Sequence, residues 1–165
     1  MKPAPDDGTR AGKAFITGRF HSLGRKITTQ AIDVLLSTAD LIPYDVQQLA
    51  HELWDLAELE DKRELTDADV RLVVKEILAR QGDIFKRQWQ QLTKHQSAVL
   101  RALAFQGPQD LLSRAAGERF RLGPASSVQK ALSALDKQDL IDRYKGRYFF
   151  LEPLFAEWIR QLGTS

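Results

Sequence analysis

The stretch SSVQKALSALDKQDLIDRYKGRYFF, residues 126–150, decides how this chain is read. Val128, Ala131, Leu132 and Leu135 recur three and four residues apart, which puts them on one face of an α-helix. Ser126, Ser127, Gln129, Lys130, Ser133 and Lys137 then fall on the outer side. After Gln138 the pattern changes. DLIDRY and RYFFLE are β-like runs around Lys145-Gly146, a dipeptide suited to a tight turn. Helix, strand, basic turn, strand is the order, with Arg143, Lys145 and Arg147 at the turn and Tyr144 and Tyr148 between them.

Working back toward the N-terminus, Thr93 and Gln96 form a capping box for TKHQSAVLRALAFQ, in which Val99, Leu100 and Leu103 face inward. Gly107-Pro108 breaks that helix, QDLLSRAAGERF reads as a short one, and RLGPASS as a turn. Pro153 opens a closing amphipathic helix with Leu154, Phe155, Trp158 and Ile159. Three helices followed by a two-stranded hairpin with a basic turn is the layout of a winged helix-turn-helix. In that layout the second helix of the motif meets the major groove. Gln there can pair with adenine, Ser with several bases, and Lys with guanine or phosphate. Arg143, Lys145 and Arg147 suit a wing along a phosphate backbone, and Arg114, Arg119 and Arg121 add further cations. Asp136, Asp139 and Asp142 oppose such contacts, and the same face also fits a protein-docking module.

Upstream the grammar is purely helical. MKPAPDDGTRAG has no apolar pattern, and residues 1–13 read as a flexible tail or linker. KAFITGRFHSL groups Phe15, Ile16, Arg19 and Phe20 and stops at Gly24, and Thr28 caps a helix carrying Ile32, Leu35 and Leu36. Pro43 fits a first helical position, ahead of a stripe of Val46, Leu49, Ala50, Leu53 and Trp54. Thr66 and Asp69 resemble a capping box for a helix with Val70, Val73, Val74, Ile77 and Leu78, which Gly82 ends. A new helix follows from Asp83 to Leu92. The expectation is a mainly α protein: a four-helix bundle without strands over residues 14–81, then a winged helix over 82–165.

Composition narrows the chemistry. The 165 residues carry a net charge of +2, but residues 1–81 sum to −3 and residues 82–165 to +5. A basic half weakly favours a polyanionic partner for that half. Cysteine is absent, so disulfides and thiolate metal sites are excluded and a reducing, cytoplasmic location is expected. No apolar run approaches the roughly 20 residues that span a membrane, so no membrane contact is expected. The chain has no G-x-x-x-x-G-K-[ST] loop. His21, His51 and His95 lie far apart, and Asp55 stands where a zinc-protease pattern beginning at His51-Glu52 would need its second His. No enzymatic activity and no metal are expected of the chain itself.

Both halves together resemble the C-terminal part of an AAA+/STAND-type P-loop ATPase, in which a helical lid precedes a winged helix. The first half carries the resemblance in FITGRF (15–20), ITTQAIDVLL (27–36) and IPYDVQQLAHELWD (42–55). The second half carries it in LTKHQSAVLRALA (92–104), SSVQKALSALDKQDLI (126–141) and GRYFFLEPLFAEWIR (146–160). The resemblance implies a lid that covers ATP and Mg held by a core supplied elsewhere, with Pro43 and Tyr44 nearest the nucleotide. Where the family has a Gly-x-Pro turn before the long lid helix, this chain has Leu41-Ile42-Pro43, and no arginine opens the helix that follows. The expected partners are duplex DNA and a P-loop ATPase core. The alternative is a regulatory module docking on that core, on a partner protein or on a second copy of the chain. An exposed patch around Tyr148, Phe149, Phe155 and Trp158 would serve it.

Overall fold

The N–H groups at the start of a helix need acceptors, and this chain supplies them from its own side chains. Thr28 Oγ1 accepts from the Ala31 N–H at 3.1 Å to start α2 (Thr29–Thr38). Pro43 occupies the first turn of α3 (Pro43–Leu59), where its missing N–H costs nothing. The computed structural model describes residues 5–163, with side chains from residue 8, and divides into two compact units, Met1–Arg80 and Gln81–Ser165.

The first unit contains α1 (Pro5–Ser22), β1 (Lys26–Ile27), α2, α3, β2 (Glu64–Leu65) and the first part of α4 (Asp67–Gln90). Its core gathers Ile16 and Phe20 from α1, Leu35 and Leu36 from α2, Leu49 and Leu53 from α3, and Val73 and Ile77 from α4. Residues 5–13, read from sequence as tail, form the start of α1, while residues 1–4 lie outside the described residues. Gly12 packs there against Leu36, close enough that a Cβ would stand 3.0 Å from Leu36 Cδ2. A low count of apolar side chains hides this helix from periodicity, because a glycine-faced turn packs by close approach.

Two further expectations change. Residues 14–81 contain a strand pair after all: β1 and β2 run parallel, with Lys26 opposite Glu64 and Ile27 opposite Leu65. The Lys26 N–H donates to Arg63 O at 2.9 Å and the Thr28 N–H to Leu65 O at 3.0 Å. Arg25 secures the pair: its guanidinium donates to Glu58 Oε1 at 2.6 Å and to the Lys62 carbonyl, and its Cζ lies 5.0 Å from the Trp54 ring centroid. Gly82 does not end a helix either. It sits inside α4, which is continuous to Gln90. Glycine is weak in a helix interior but does not break it when its neighbours keep helical hydrogen bonds.

Asp69 is the polar anchor of the first unit. It is buried, with 5% of its surface exposed. One carboxylate oxygen accepts from the Thr66 N–H at 2.9 Å and from the Thr66 hydroxyl at 3.2 Å, and the other pairs with Lys62 Nζ. Asp thus supplies the back-reaching half of the expected capping box. Burial pushes the Asp69 carboxyl up, but the Lys62 pairing and the Thr66 hydrogen bonds outweigh it and hold the group below its ordinary value.

The second unit begins within α4 and continues with α5 (Lys94–Gln106), α6 (Arg114–Phe120), α7 (Ala125–Lys137), β3 (Ile141–Tyr144), β4 (Arg147–Phe150) and α8 (Pro153–Leu162). Its core joins aliphatic side chains such as Leu100, Leu132 and Ile159 to an aromatic cluster. Phe85 stacks on Phe155 at 5.4 Å between centroids, Phe155 on Trp158 at 6.0 Å, and Phe150 meets Phe155 edge-on at 6.2 Å. Arg160 Nε donates to Ala104 O at 2.7 Å and fastens α8 to α5. Among the described residues no helix is long and apolar enough to cross a membrane.

Two outcomes test these placements. Gly82→Ala should raise stability by about 0.5–1 kcal/mol, read as a higher urea midpoint, because its Cβ would meet only Trp158 Nε1 at 3.9 Å. A loss would mean that the chain turns at residue 82. Asp69→Ala should cost about 1–3 kcal/mol. Since the folded pKa is depressed, the wild-type contribution is complete above the ordinary carboxylate value and disappears as pH falls through the lower folded value. The stability difference between wild type and variant, followed by acid titration, should shrink in that order.

Candidate nucleic-acid interface

The helix-turn-helix is assembled by caps and left-handed residues. Thr93 and Gln96 complete their capping box, with Gln96 N–H to Thr93 Oγ1 at 3.1 Å and Thr93 N–H to Gln96 Oε1 at 3.0 Å. Gly107, at φ 81°, ends α5. Ser113 Oγ accepts from the Ala116 N–H at 3.2 Å, so α6 starts at Arg114, later than the expected Gln109. The intervening residues form a turned loop in which Asp110 has φ 60°. Arg121 at φ 55° and Gly123 at φ 71° then swing the chain into α7. His95 braces this turn, its Nε2 lying 2.7 Å from the Leu122 carbonyl oxygen. A carbonyl only accepts, so the ring proton sits on Nε2.

Val128, Ala131, Leu132 and Leu135 of α7 are buried. At about 100° per residue, Ser126, Gln129, Lys130, Ser133 and Lys137 share one narrow arc opposite them, and all five are exposed. Ser127 departs from the expectation: it lies to the side of that arc and is half-buried. Lys137 closes the helix beside Asp136 and Asp139, so the basic character of the arc fades toward its C-terminal end.

The hairpin sorts its cations by register. Ile141 pairs with Phe150 and Arg143 with Tyr148 on one face, while Asp142 pairs with Phe149 and Tyr144 with Arg147 on the other. Lys145 and Gly146, at φ 48° and 77°, make the tight turn, both left-handed as this connection requires. Arg143 lies 5.6 Å over the Tyr148 ring and Lys145 5.5 Å over the Tyr144 ring. The first face borders α7: Asp110, Ser113, Gln129, Leu132, Arg143 and Tyr148 line a recess of about 650 Å³. Gln129 and Arg143, 14 residues apart in sequence, therefore share one concave surface, while Arg147 points from the opposite side of the wing.

Sequence reasoning missed the wall made by Asp110 and Ser113. Reading Ser113 as a helix cap after the Gly107-Pro108 break is the signal that finds it. Of the arginines ahead of α7, Arg114 is paired with Glu118 at 2.8 Å and Arg119 lies 5.0 Å over the Phe120 ring. In the first unit, Pro43 and the 75%-exposed Tyr44 open α3, preceded by Leu41 at φ 59°. The aromatic patch expected to serve self-association is not presented as one surface. Phe155 is 1% exposed, Tyr148, Phe149 and Trp158 are half-buried, and Phe155 and Trp158 belong to the core cluster.

Comparison with protein families places residues 83–161 on the model of a family described as "Probable winged helix domain". A comparison with curated proteins finds no match. The helix order and the antiparallel hairpin agree with that description, and the second unit has a winged-helix layout.

His95→Ala removes the brace on the α6–α7 turn and should cost about 0.5–1.5 kcal/mol in chemical denaturation, the net worth of one hydrogen bond. Faster amide exchange at Leu122, Gly123 and Ala125 should accompany it.

Proposed function

We propose that the winged helix binds duplex DNA, with α7 in the major groove and the wing against the backbone. The observation that carries this is the outer arc of α7, where Ser126, Gln129, Lys130 and Ser133 stand exposed with no carboxylate among them. Arg143 and Gln129 line the recess beside that arc, and Lys145 tips the wing. Gln and Ser suit base edges, and the cations suit phosphates. The exposed N-terminal turn of α7, begun by Pro124 without a side-chain cap, also favours a phosphate there.

The first unit is proposed as the lid of a P-loop ATPase whose core, with its ATP and Mg, is supplied elsewhere, so that nucleotide state governs the DNA contact. Support comes from the α2–α3 turn. Leu41 holds a left-handed backbone at the position where the resembled family has glycine, and Pro43 keeps its place at the start of α3. A P-loop encoded directly upstream, or in a chain that co-purifies, is the outcome this half requires.

DNA contact is tested by fluorescence anisotropy on a labelled duplex. Up to five cations (Lys130, Lys137, Arg143, Lys145, Arg147) reach phosphates, so log K should fall with log salt at a slope of about −4 to −5. Lys130→Ala or Arg147→Ala should weaken binding several-fold on any sequence and make the slope shallower by about 1. No binding at low salt would refute it.

A further inference from the structure

The first unit carries an open groove between α1 and α3, both of which pack on α2. Ala11, Phe15 and Arg19, four residues apart along about 12 Å of α1, form one wall, and Leu23 extends it just past the helix end. Val46, Gln47, Ala50 and Trp54 form the facing stripe on α3. Two hollows of about 530 and 270 Å³ meet at Phe15 and Gln47, so the groove is continuous. Its exposed apolar surface lies on the α1 side, where Phe15 is 47% and Leu23 53% exposed, while Val46 and Ala50 form a buried floor and Trp54 is half-buried.

The charges along the groove have one sign. No Asp or Glu lines either hollow, and the polar lining is Arg19, Gln47 and His51. His51 is occupied by Asp55 at 3.1 Å. The Arg19 guanidinium rests 5.9 Å over the Phe15 ring and meets no carboxylate among the described residues. A cation held on an aromatic at the edge of an apolar trough is set to receive an acid on whatever fills the trough.

We infer that this groove docks an amphipathic helix from another polypeptide, with an apolar stripe at i, i+3, i+4 and i+7 and an Asp or Glu beside it that pairs with Arg19. Two parallel stripes match a third helix lying along them, the helix-in-groove mode of recognition. The occupant is acidic because a basic helix would bring like charge to Arg19 and leave it unpaired. This reading is independent of DNA contact, which belongs to the other unit.

The test is a phage-displayed library of helical peptides about 18 residues long, selected on the full chain. Synthetic copies of the winners are then measured by anisotropy and by amide chemical-shift mapping. The expected winners carry the apolar stripe with a flanking acid, shift amides of α1 and α3, and lose at least about 10-fold in affinity when that acid becomes Lys. Phe15→Asp, at an exposed position, should abolish binding with the circular dichroism spectrum unchanged. Arg19→Glu should reverse the preference between the acidic peptide and its Lys-flanked copy. Winners that bind Phe15→Asp equally well, that favour the Lys-flanked copy on the wild type, or that shift only amides elsewhere would overturn the proposal. So would a groove filled by a second copy of the chain, seen as a dimer in sedimentation that Phe15→Asp dissolves.

Discussion

Everything the winged helix presents follows from one constraint, the burial of Val128, Ala131, Leu132 and Leu135 along α7. Each Val or Leu side chain removed from water contributes about 1.5–3 kcal/mol, whereas an exposed charge pair contributes about 0–1 kcal/mol. The apolar stripe therefore sets the rotation of the helix, and the polar residues take the arc that remains. Ser126, Gln129, Lys130 and Ser133 face outward because their neighbours face inward. The hairpin obeys the same rule with a period of two: burying Ile141 and Phe150 commits Arg143 and Tyr148 to the face that borders α7.

The scaffold behind α7 is built from rings and caps. Phe85, Phe150, Phe155 and Trp158 tie the end of α4, the wing and α8 into one cluster. Residues that sequence leaves available as a sticky surface are thereby spent on the interior, and the same apolar area does not serve twice. The first unit is held differently. A two-residue parallel pairing is too small to be stable alone, and Arg25 reinforces it through Glu58, the Lys62 carbonyl and the Trp54 ring. Asp69 does the same for the start of α4.

Local pattern was a good guide wherever one helix face or one cap carried the information. Thr28, Thr93 and Pro43 each mark a helix start, and the stripes of α2, α3, α5 and α7 match the buried residues except at Trp54, which is half-buried. The pattern failed where glycine stood in for contact. Gly82 looks like a stop but lies mid-helix, and Gly12 looks like a linker but packs on Leu36. It also failed for β1 and β2, whose partners lie far apart in sequence and whose two residues each are too few to show an alternation.

The candidate site divides along the same line. Sequence by itself determined which side chains α7 and the hairpin turn can offer, because helical and strand periodicity follow from spacing alone. Only the tertiary structure decided which of them meet. It brought Gln129 and Arg143 to one recess, supplied Asp110 and Ser113 as its wall, sent Arg147 to the other face and half-buried Ser127. Those outcomes depend on strand register, left-handed turn residues and the volume of the core, which are set by contacts between segments and not by the order of residues within one.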